Sequence, residues 1–336
     1  KCYLKLIYYL KKEMPLLEEN HILGFDEIEV SQKDAKCQLA EKWLEKTATD
    51  SELQVNEDDT QIHIKGREFA YTIDRRTALF TEMKFAGREY LNHPMELNIW
   101  RAPTDNDMYI KAEWKKAHYD KAYTRAYTTE VVQGKHGVKI VSHASVVAET
   151  VQKILDVTIT WKIDASGKID ADIEATKDGE FPDLPRFGVR MFLDKKLSAV
   201  RYFGMGPQES YCDKHQAASH GLYRANVGDL HEDYIRPQEN GSHYDCEYVE
   251  LNNSRYGIVA SAEKAFSFNA SYYTQEELEK KTHNYELIES DSVVFCVDYA
   301  LNGIGSNSCG PVVLEQYRFD DVLFRFQFTL VPYVKG

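Results

Sequence analysis

The sequence predicts an all-β chain dominated by one large antiparallel β-sandwich. From Gln61 onward, short runs rich in β-branched and aromatic residues recur, separated by turn formers such as Asp164-Ala165-Ser166-Gly167, Lys177-Asp178-Gly179 and Asn252-Asn253-Ser254. Only two short helices are expected. Many strands with so few helices imply packed sheets.

Taken in order, Cys2 to Lys12 alternates as a strand does, with Tyr3, Lys5, Ile7 and Tyr9 on one face and Leu4, Leu6, Tyr8 and Leu10 on the other. A turn containing Pro15 follows, and His21 to Ser31 reads as a second strand. Two strands joined by a short loop cannot bury a core by themselves. Asp34 to Lys46 is helix-permissive, with Leu39, Trp43 and Leu44 on one face, and the acidic, turn-prone Thr49 to Thr60 reads as a linker. The domain boundary is therefore placed between 48 and 49, giving segments 1–48 and 49–336. In the second segment the strand signals are Ile62 to Ile64, Phe69 to Ile73, Val138 to Val147, Val151 to Ile163, Lys168 to Ala175, Val189 to Leu193, Ala199 to Phe203, Tyr256 to Ala262, Val293 to Tyr299 and Val322 to Val331. The helices are expected around Glu113 to Asp120 and after Thr274, where Thr274-Gln275-Glu276-Glu277 fits a capping box.

Composition narrows the function. The 336 residues carry 41 basic and 54 acidic side chains, a net charge of −13, whereas nucleic-acid binding rests on a basic footprint. No nucleic-acid partner is expected. No apolar run approaches the roughly 20 residues that span a bilayer, and Lys1 to Leu10 alternates charged and apolar residues where a signal peptide would be continuously apolar. No membrane partner is expected. Cys2, Cys37, Cys212, Cys246, Cys296 and Cys309 form no C-x-x-C pair, a pattern of reduced thiols that points to the cytoplasm. The 11 histidines show no H-E-x-x-H or comparable spacing, and His215 and His220 read as surface or hydrogen-bonded residues. Neither a metal nor another cofactor is expected. The 22 tyrosines could suggest a carbohydrate surface, but tyrosine is favoured in strands for packing alone, and packing is the reading preferred here.

The densest stretch of rare residue types is Leu97-Asn98-Ile99-Trp100-Arg101-Ala102-Pro103-Thr104-Asp105-Asn106-Asp107. Trp100, Arg101 and Asp105 are candidate sugar contacts, since an indole covers an apolar sugar face while guanidinium and carboxylate bind hydroxyls. The plainer alternative is a packed Trp beside a turn whose acids accept backbone N–H groups. Glu209, in Gly206-Pro207-Gln208-Glu209, and Glu239, in Pro237-Gln238-Glu239-Asn240, echo each other as a glycosidase pair would. Such a pair needs a separation of about 5–5.5 or 6.5–9.5 Å, which sequence cannot supply, and both sit among Pro, Gly and Asn as structural loop acids do. No catalytic residue is assigned.

These segments, with Phe268-Asn269-Ala270-Ser271, Thr274-Gln275-Glu276-Glu277-Leu278 and Asn302-Gly303-Ile304-Gly305-Ser306-Asn307-Ser308-Cys309-Gly310-Pro311, occur in the order found in a known family. The chain resembles the C-terminal small-chain domain of the large β-galactosidases of glycoside hydrolase family 2. The resemblance spans most of residues 50 to 336. It implies a supersandwich of galactose mutarotase-like shape, and segment 1–48 resembles the end of the immunoglobulin-like domain that precedes it. It further implies a parent enzyme that hydrolyses terminal β-D-galactosides with retention, through glutamates in an upstream TIM barrel. The expected partners are then the remaining β-galactosidase domains, a β-galactoside bound by the full enzyme, and other copies of the parent in a homo-oligomer. The loop from Gly303 is expected to be exposed and to reach the active site, with Gly305, Ser306, Asn307, Ser308 and Cys309 as candidate substrate-binding residues. Some members carry a Trp platform where this chain has Cys309, so that stacking surface is missing here. Two rival readings stay open, an autonomous carbohydrate-binding module and a sugar epimerase, which needs a converging acid and base.

Overall fold

The computed structural model describes residues 2–30, 53–150, 153–305 and 310–335. It divides into a unit up to Glu45 and a second from Lys46.

In the first unit β1 (Cys2–Tyr9) pairs antiparallel with β2 (Ile22–Val30). The alternation expected of β1 is present, yet both faces are open: Leu4, Leu6, Ile7, Tyr8 and Tyr9 are all exposed. A two-stranded ribbon has no second layer to bury them. The helix expected over Asp34 to Lys46 lies outside the described residues.

The second unit opens with a five-stranded antiparallel sheet of β3 (Gln54–Glu57), β4 (Gln61–Lys65), β5 (Phe69–Asp74), β6 (Leu79–Phe85) and β7 (Arg88–Glu89). Gln54–Glu57 was expected to be linker; the acidic turn residues instead close a hairpin. The Asp58 carboxylate accepts the Thr60 and Gln61 backbone N–H groups at 2.7 and 2.8 Å, as an Asx turn does.

The remaining strands, β8 (Leu91–Asn98), β9 (Tyr123–Gln133), β10 (Gly137–Val147), β11 (Leu155–Asp164), β12 (Ile169–Lys177), β13 (Arg186–Asp194), β14 (Ala199–Gly206), β15 (Ser219–Asn226), β16 (Ser242–Asn252), β17 (Tyr256–Ser271), β18 (Ser292–Leu301) and β19 (Leu323–Val334), form one 12-stranded sheet. Its main path runs β15-β14-β16-β17-β19-β12-β11-β10-β9, and an arm of β18, β13 and β8 branches from β17. The 16-residue β17 makes the branch. Tyr256–Ser261 pairs with β19 and Ser267–Ser271 with β18, with the exposed Glu263-Lys264-Ala265 between the two halves.

The two sheets pack face to face. The Trp161 indole on β11 donates to the Ala78 carbonyl at 2.8 Å and meets Phe80 edge-on at 4.9 Å, while Tyr71 on β5 donates to the Gly167 carbonyl at 2.7 Å. β12 carries the alternation of a sheet with one buried face, with Ile169, Ala171, Ile173 and Ala175 inward. Helix is confined to Ile110–Lys116, Gln275–Lys280 and short 3-10 turns among the described residues. The expected cap is present: the Thr274 hydroxyl accepts the Glu277 N–H at 3.1 Å. Cys2, Cys212, Cys246 and Cys296 are free thiols; Cys37 and Cys309 lie outside the described residues.

Candidate functional site

Four of the segments singled out above lie far apart in sequence, yet strand pairing delivers them to one end of the sheet arm. β8 ends at Asn98 beside Gly188, and β18 ends at Leu301 beside Arg186. The loops that follow lace together. Glu239 N–H donates to the Ala102 carbonyl at 3.1 Å, Asp105 N–H to Gln238 Oε1 at 3.0 Å, and Gly241 N–H to Glu209 Oε2 at 2.8 Å. Asn269 on β17 closes the ring by donating from Nδ2 to the Asn240 carbonyl at 2.6 Å. Gly241 is required here: its φ is +70°, and a Cβ would lie 2.4 Å from the Leu230 carbonyl oxygen.

Buried ion pairs hold the knot from beneath. Arg186, with no exposed surface, donates through Nε and Nη2 to both oxygens of Asp298 at 3.2 and 2.7 Å, and through Nη1 to Glu239 at 3.4 and 3.5 Å. Burial works against the Arg186 charge, but the two carboxylates outweigh it and hold its pKa well above the ordinary arginine value. Burial raises the pKa of Glu239 and of Asp298, with Arg186 opposing it at each. A second pair, Arg101 with Asp107 at 2.7 Å, is equally enclosed. Asp107 turns its other oxygen back to the Thr104 N–H at 2.8 Å. The Asp107 carboxylate thus serves its own loop.

That second pair also fixes the strand that becomes the Gly303 loop. Arg101 Nη1 donates to the Asn302 carbonyl and Nη2 to the Gly303 carbonyl at 3.2 Å, while Asn106 Nδ2 donates to the Ile304 carbonyl at 2.7 Å. From the other side Asp213 accepts the Ile304 N–H at 3.0 Å and the Gly305 N–H at 2.7 Å. A Cβ at Gly303 would sit 2.7 Å from the same carboxylate. Asn302 adds a rivet, its Oδ1 accepting the Phe319 N–H at 2.8 Å.

The candidate residues are therefore placed as follows. Trp100 is buried, edge-on to Trp114 at 6.2 Å with Lys115 Nζ 4.7 Å over its ring. Arg101 is wholly enclosed, and its guanidinium faces protein groups. Asp105 is exposed. Gly305 is exposed, but Gly303 and Ile304 are buried, a correction to the expectation of an exposed loop from its first residue: the Asp213, Asn106 and Arg101 contacts draw both into the knot. Ser306, Asn307, Ser308 and Cys309 lie outside the described residues. Glu209 binds Lys214, Tyr234 and Gly241 N–H, so both echoing glutamates are tied down. His215 bonds the Tyr211 carbonyl at 3.0 Å and stacks on Tyr244, and His220 lies 2.8 Å from Asp245. No group of His, Cys, Asp and Glu among the described residues could hold a metal ion. Sequence reasoning passed over Asp213, Arg186 and Asp298. Asp213 follows a recognised motif by two positions; the other two give no local sign, since strand register alone pairs them.

Asp213→Ala is expected to leave Ile304 and Gly305 N–H without acceptors and to loosen this turn locally. Their amide exchange should rise about tenfold or more while the global unfolding free energy falls by no more than about 1–2 kcal/mol; hydrogen exchange read by NMR checks it.

The sandwich thus carries, at one end of its sheet arm, a set of loops laced by backbone hydrogen bonds and buried ion pairs. The chain belongs to the beta galactosidase small chain family, whose sequence profile matches residues 65–330. It is 43% identical to a beta-galactosidase of Actinobacillus pleuropneumoniae over 98% of this chain and 32% of that protein, and 32% identical to one of Staphylococcus xylosus over 97% and 32%. The chain thus spans about a third of the length of these relatives, so further domains of such an enzyme are implied. A solved galactose 1-epimerase from Lactobacillus acidophilus NCFM matches 85% of this chain and 99% of its own, at a TM-score of 0.43 and 9% identity. A likeness that low carries no functional argument.

Proposed function

We propose that the chain is the non-catalytic C-terminal sandwich of a β-galactosidase that hydrolyses terminal β-D-galactosides with retention. Its catalytic glutamates belong to a TIM barrel elsewhere in the whole protein. The sandwich helps form the active-site mouth through Gly305, Ser306, Asn307, Ser308 and Cys309, binding the galactoside in company with the remaining domains of a homo-oligomer. The observation that carries this reading is the match over nearly the whole chain to one third of each beta-galactosidase. The anchored start of the Gly303 loop supports it, because a loop that contributes to a neighbouring site needs a fixed base. In the whole protein, Glu209→Gln and Glu239→Gln should leave kcat on a chromogenic galactoside within about tenfold wherever the fold survives. A loss of about 10⁴-fold or more in a folded variant, the size expected for a missing acid or nucleophile, defeats the reading.

The epimerase alternative needs a histidine free to exchange protons. His243, on β16, is sealed between Tyr202 at 4.5 Å and Phe268 at 5.0 Å, and burial lowers its pKa to about 4. It suits packing, not proton transfer. The depressed pKa also has a stability consequence. The unfolded chain takes up this proton near pH 6.5 and the folded chain only near 4, so stability is full above about 6.5 and falls as pH drops toward 4. The loss reaches about 3 kcal/mol. Urea titrations of the chain and of His243→Gln across this window should show that component vanish from the variant.

A further inference from the structure

A cavity of about 300 Å³ opens beside the segment that leads into β19, between the β16 bulge at Tyr244 and Asp245, the middle of β17 and the end of β18. That is the lower end of the range of small-molecule sites. Tyr244, Ser267, Tyr299 and Tyr317 line it, and none of their hydroxyls hydrogen-bonds to a described residue. None of the four is sealed in protein either, so each keeps open space in front of it. Ser267 shows where that space is. The residue is only 5% exposed, and the little surface it keeps faces the cavity it lines. An open, unpartnered hydroxyl on an otherwise buried serine is a polar group in want of a partner, and here the partner can come only from within the cavity. Burial first, then Asp245, Cys212 and Tyr317, raises the Tyr244 pKa, and burial with Asp321 raises that of Tyr299. Both phenols therefore keep a proton to donate.

The charges at the cavity cancel. Asp245 is engaged by His220 at 2.8 Å, and Asp321 and Arg318, which both line the cavity, offset each other. What remains is four hydroxyls, each able to donate and to accept, set among the rings of the three tyrosines, Phe266 and Phe319. A charged guest would be drawn to one of Asp321 and Arg318 and repelled by the other. A purely apolar guest would strip water from the four hydroxyls without replacing it. A guest that carries its own hydroxyls around a face of C–H bonds satisfies both kinds of wall.

We infer that this cavity binds a neutral polyhydroxylated molecule of monosaccharide size through the hydroxyls of Tyr244, Ser267, Tyr299 and Tyr317. The inference stands apart from the β-galactosidase reading, because it rests on groups within this chain and not on the Gly303 loop. Tyr317 nonetheless ties the cavity to that loop: its carbonyl accepts the Gly303 N–H at 2.8 Å, so an occupant that holds its phenol is expected to shift the Gly303 amide signal. The test titrates the full 336-residue chain with D-galactose, D-glucose and glycerol, followed by NMR shifts of the Ser267 and Gly303 amides. It is repeated with Tyr244→Phe, Tyr299→Phe, Tyr317→Phe and Ser267→Ala, each of which removes one hydroxyl and little else. Saturable binding of at least one probe, weakened roughly three- to tenfold by at least two of the four substitutions, is the expected result, each step being one hydrogen bond's worth of affinity. Should one variant fail to fold, the other three decide by the same rule. No saturable binding by any of the three probes, or binding that fewer than two of the substitutions weaken, overturns the proposal, and the cavity is then a solvent-filled cleft only.

Discussion

Arg186→Met is expected to destabilise the sandwich by about 3–5 kcal/mol, the largest single-residue effect predicted here. The side chain is fully buried and is the shared counter-ion of Asp298 and Glu239. Removing it leaves two carboxylates in a dry interior, and an uncompensated buried charge costs far more than the intact pair gains. The loss should depend on pH. Both carboxyl groups already have pKa values raised by burial, and without the guanidinium they rise further. A raised carboxyl binds its proton more tightly folded than unfolded, so the variant is relatively most stable at low pH and loses stability as pH rises through the unfolded value. Urea unfolding of both proteins from pH 4 to 8 checks this, with a gap that widens toward neutral pH. Adding Asp298→Asn and Glu239→Gln should recover part of the loss by removing the charges themselves.

Arg101→Ala is the second large effect, and it couples fold to function. The guanidinium joins Asp107 to the Asn302 and Gly303 carbonyls, so its loss strands a buried acid and releases the base of the Gly303 loop together. Unfolding free energy should fall by about 3 kcal/mol. In the whole protein kcat/KM should fall about ten- to a hundredfold, since a misplacement of about 1 Å in a positioning segment can cost that much. Arg101→Lys should restore stability better than loop placement, because an ammonium keeps the charge without the planar fork that spans Asp107 and two carbonyls. A variant that melts early yet hydrolyses galactosides with unchanged constants would detach the loop from the reaction.

The parts legible in sequence were those with a strong local signal. β10, β11 and β12 alternate apolar and polar residues because one face meets the core, and the Thr274 cap is a four-residue motif. β9 was missed because most of its residues are exposed at a sheet edge, so Tyr123-Thr124-Arg125 and Thr128-Thr129-Glu130 carry little apolar pattern. β8 was hidden by Pro94 and by its polar Asn92, His93 and Glu96; its register with β13 shifts between Arg190 and Phe192. β16 buries His243 and Glu250, which look like surface residues until Tyr333 is seen to donate to Glu250. At the site, sequence singled out the loops but not their wiring. Trp100 and Arg101 looked equally suited to a sugar and to a core, and only enclosure by Trp114, Asp107 and the Gly303 strand separates the two. Asp298 and Arg186 lie 112 residues apart, a pairing that register creates and no local pattern announces.

On the proposed reading, this sandwich supports a galactosidase without carrying its chemistry. The most direct measurement compares hydrolysis of a chromogenic β-galactoside by the purified 336-residue chain and by the whole protein of a relative such as that of Actinobacillus pleuropneumoniae, at equal molar concentration. No turnover above buffer is expected for the chain and robust turnover for the whole protein, lost from the latter when its sandwich is deleted. Turnover by the isolated chain that Glu209→Gln or Glu239→Gln abolishes would contradict it and place the reaction inside the knot.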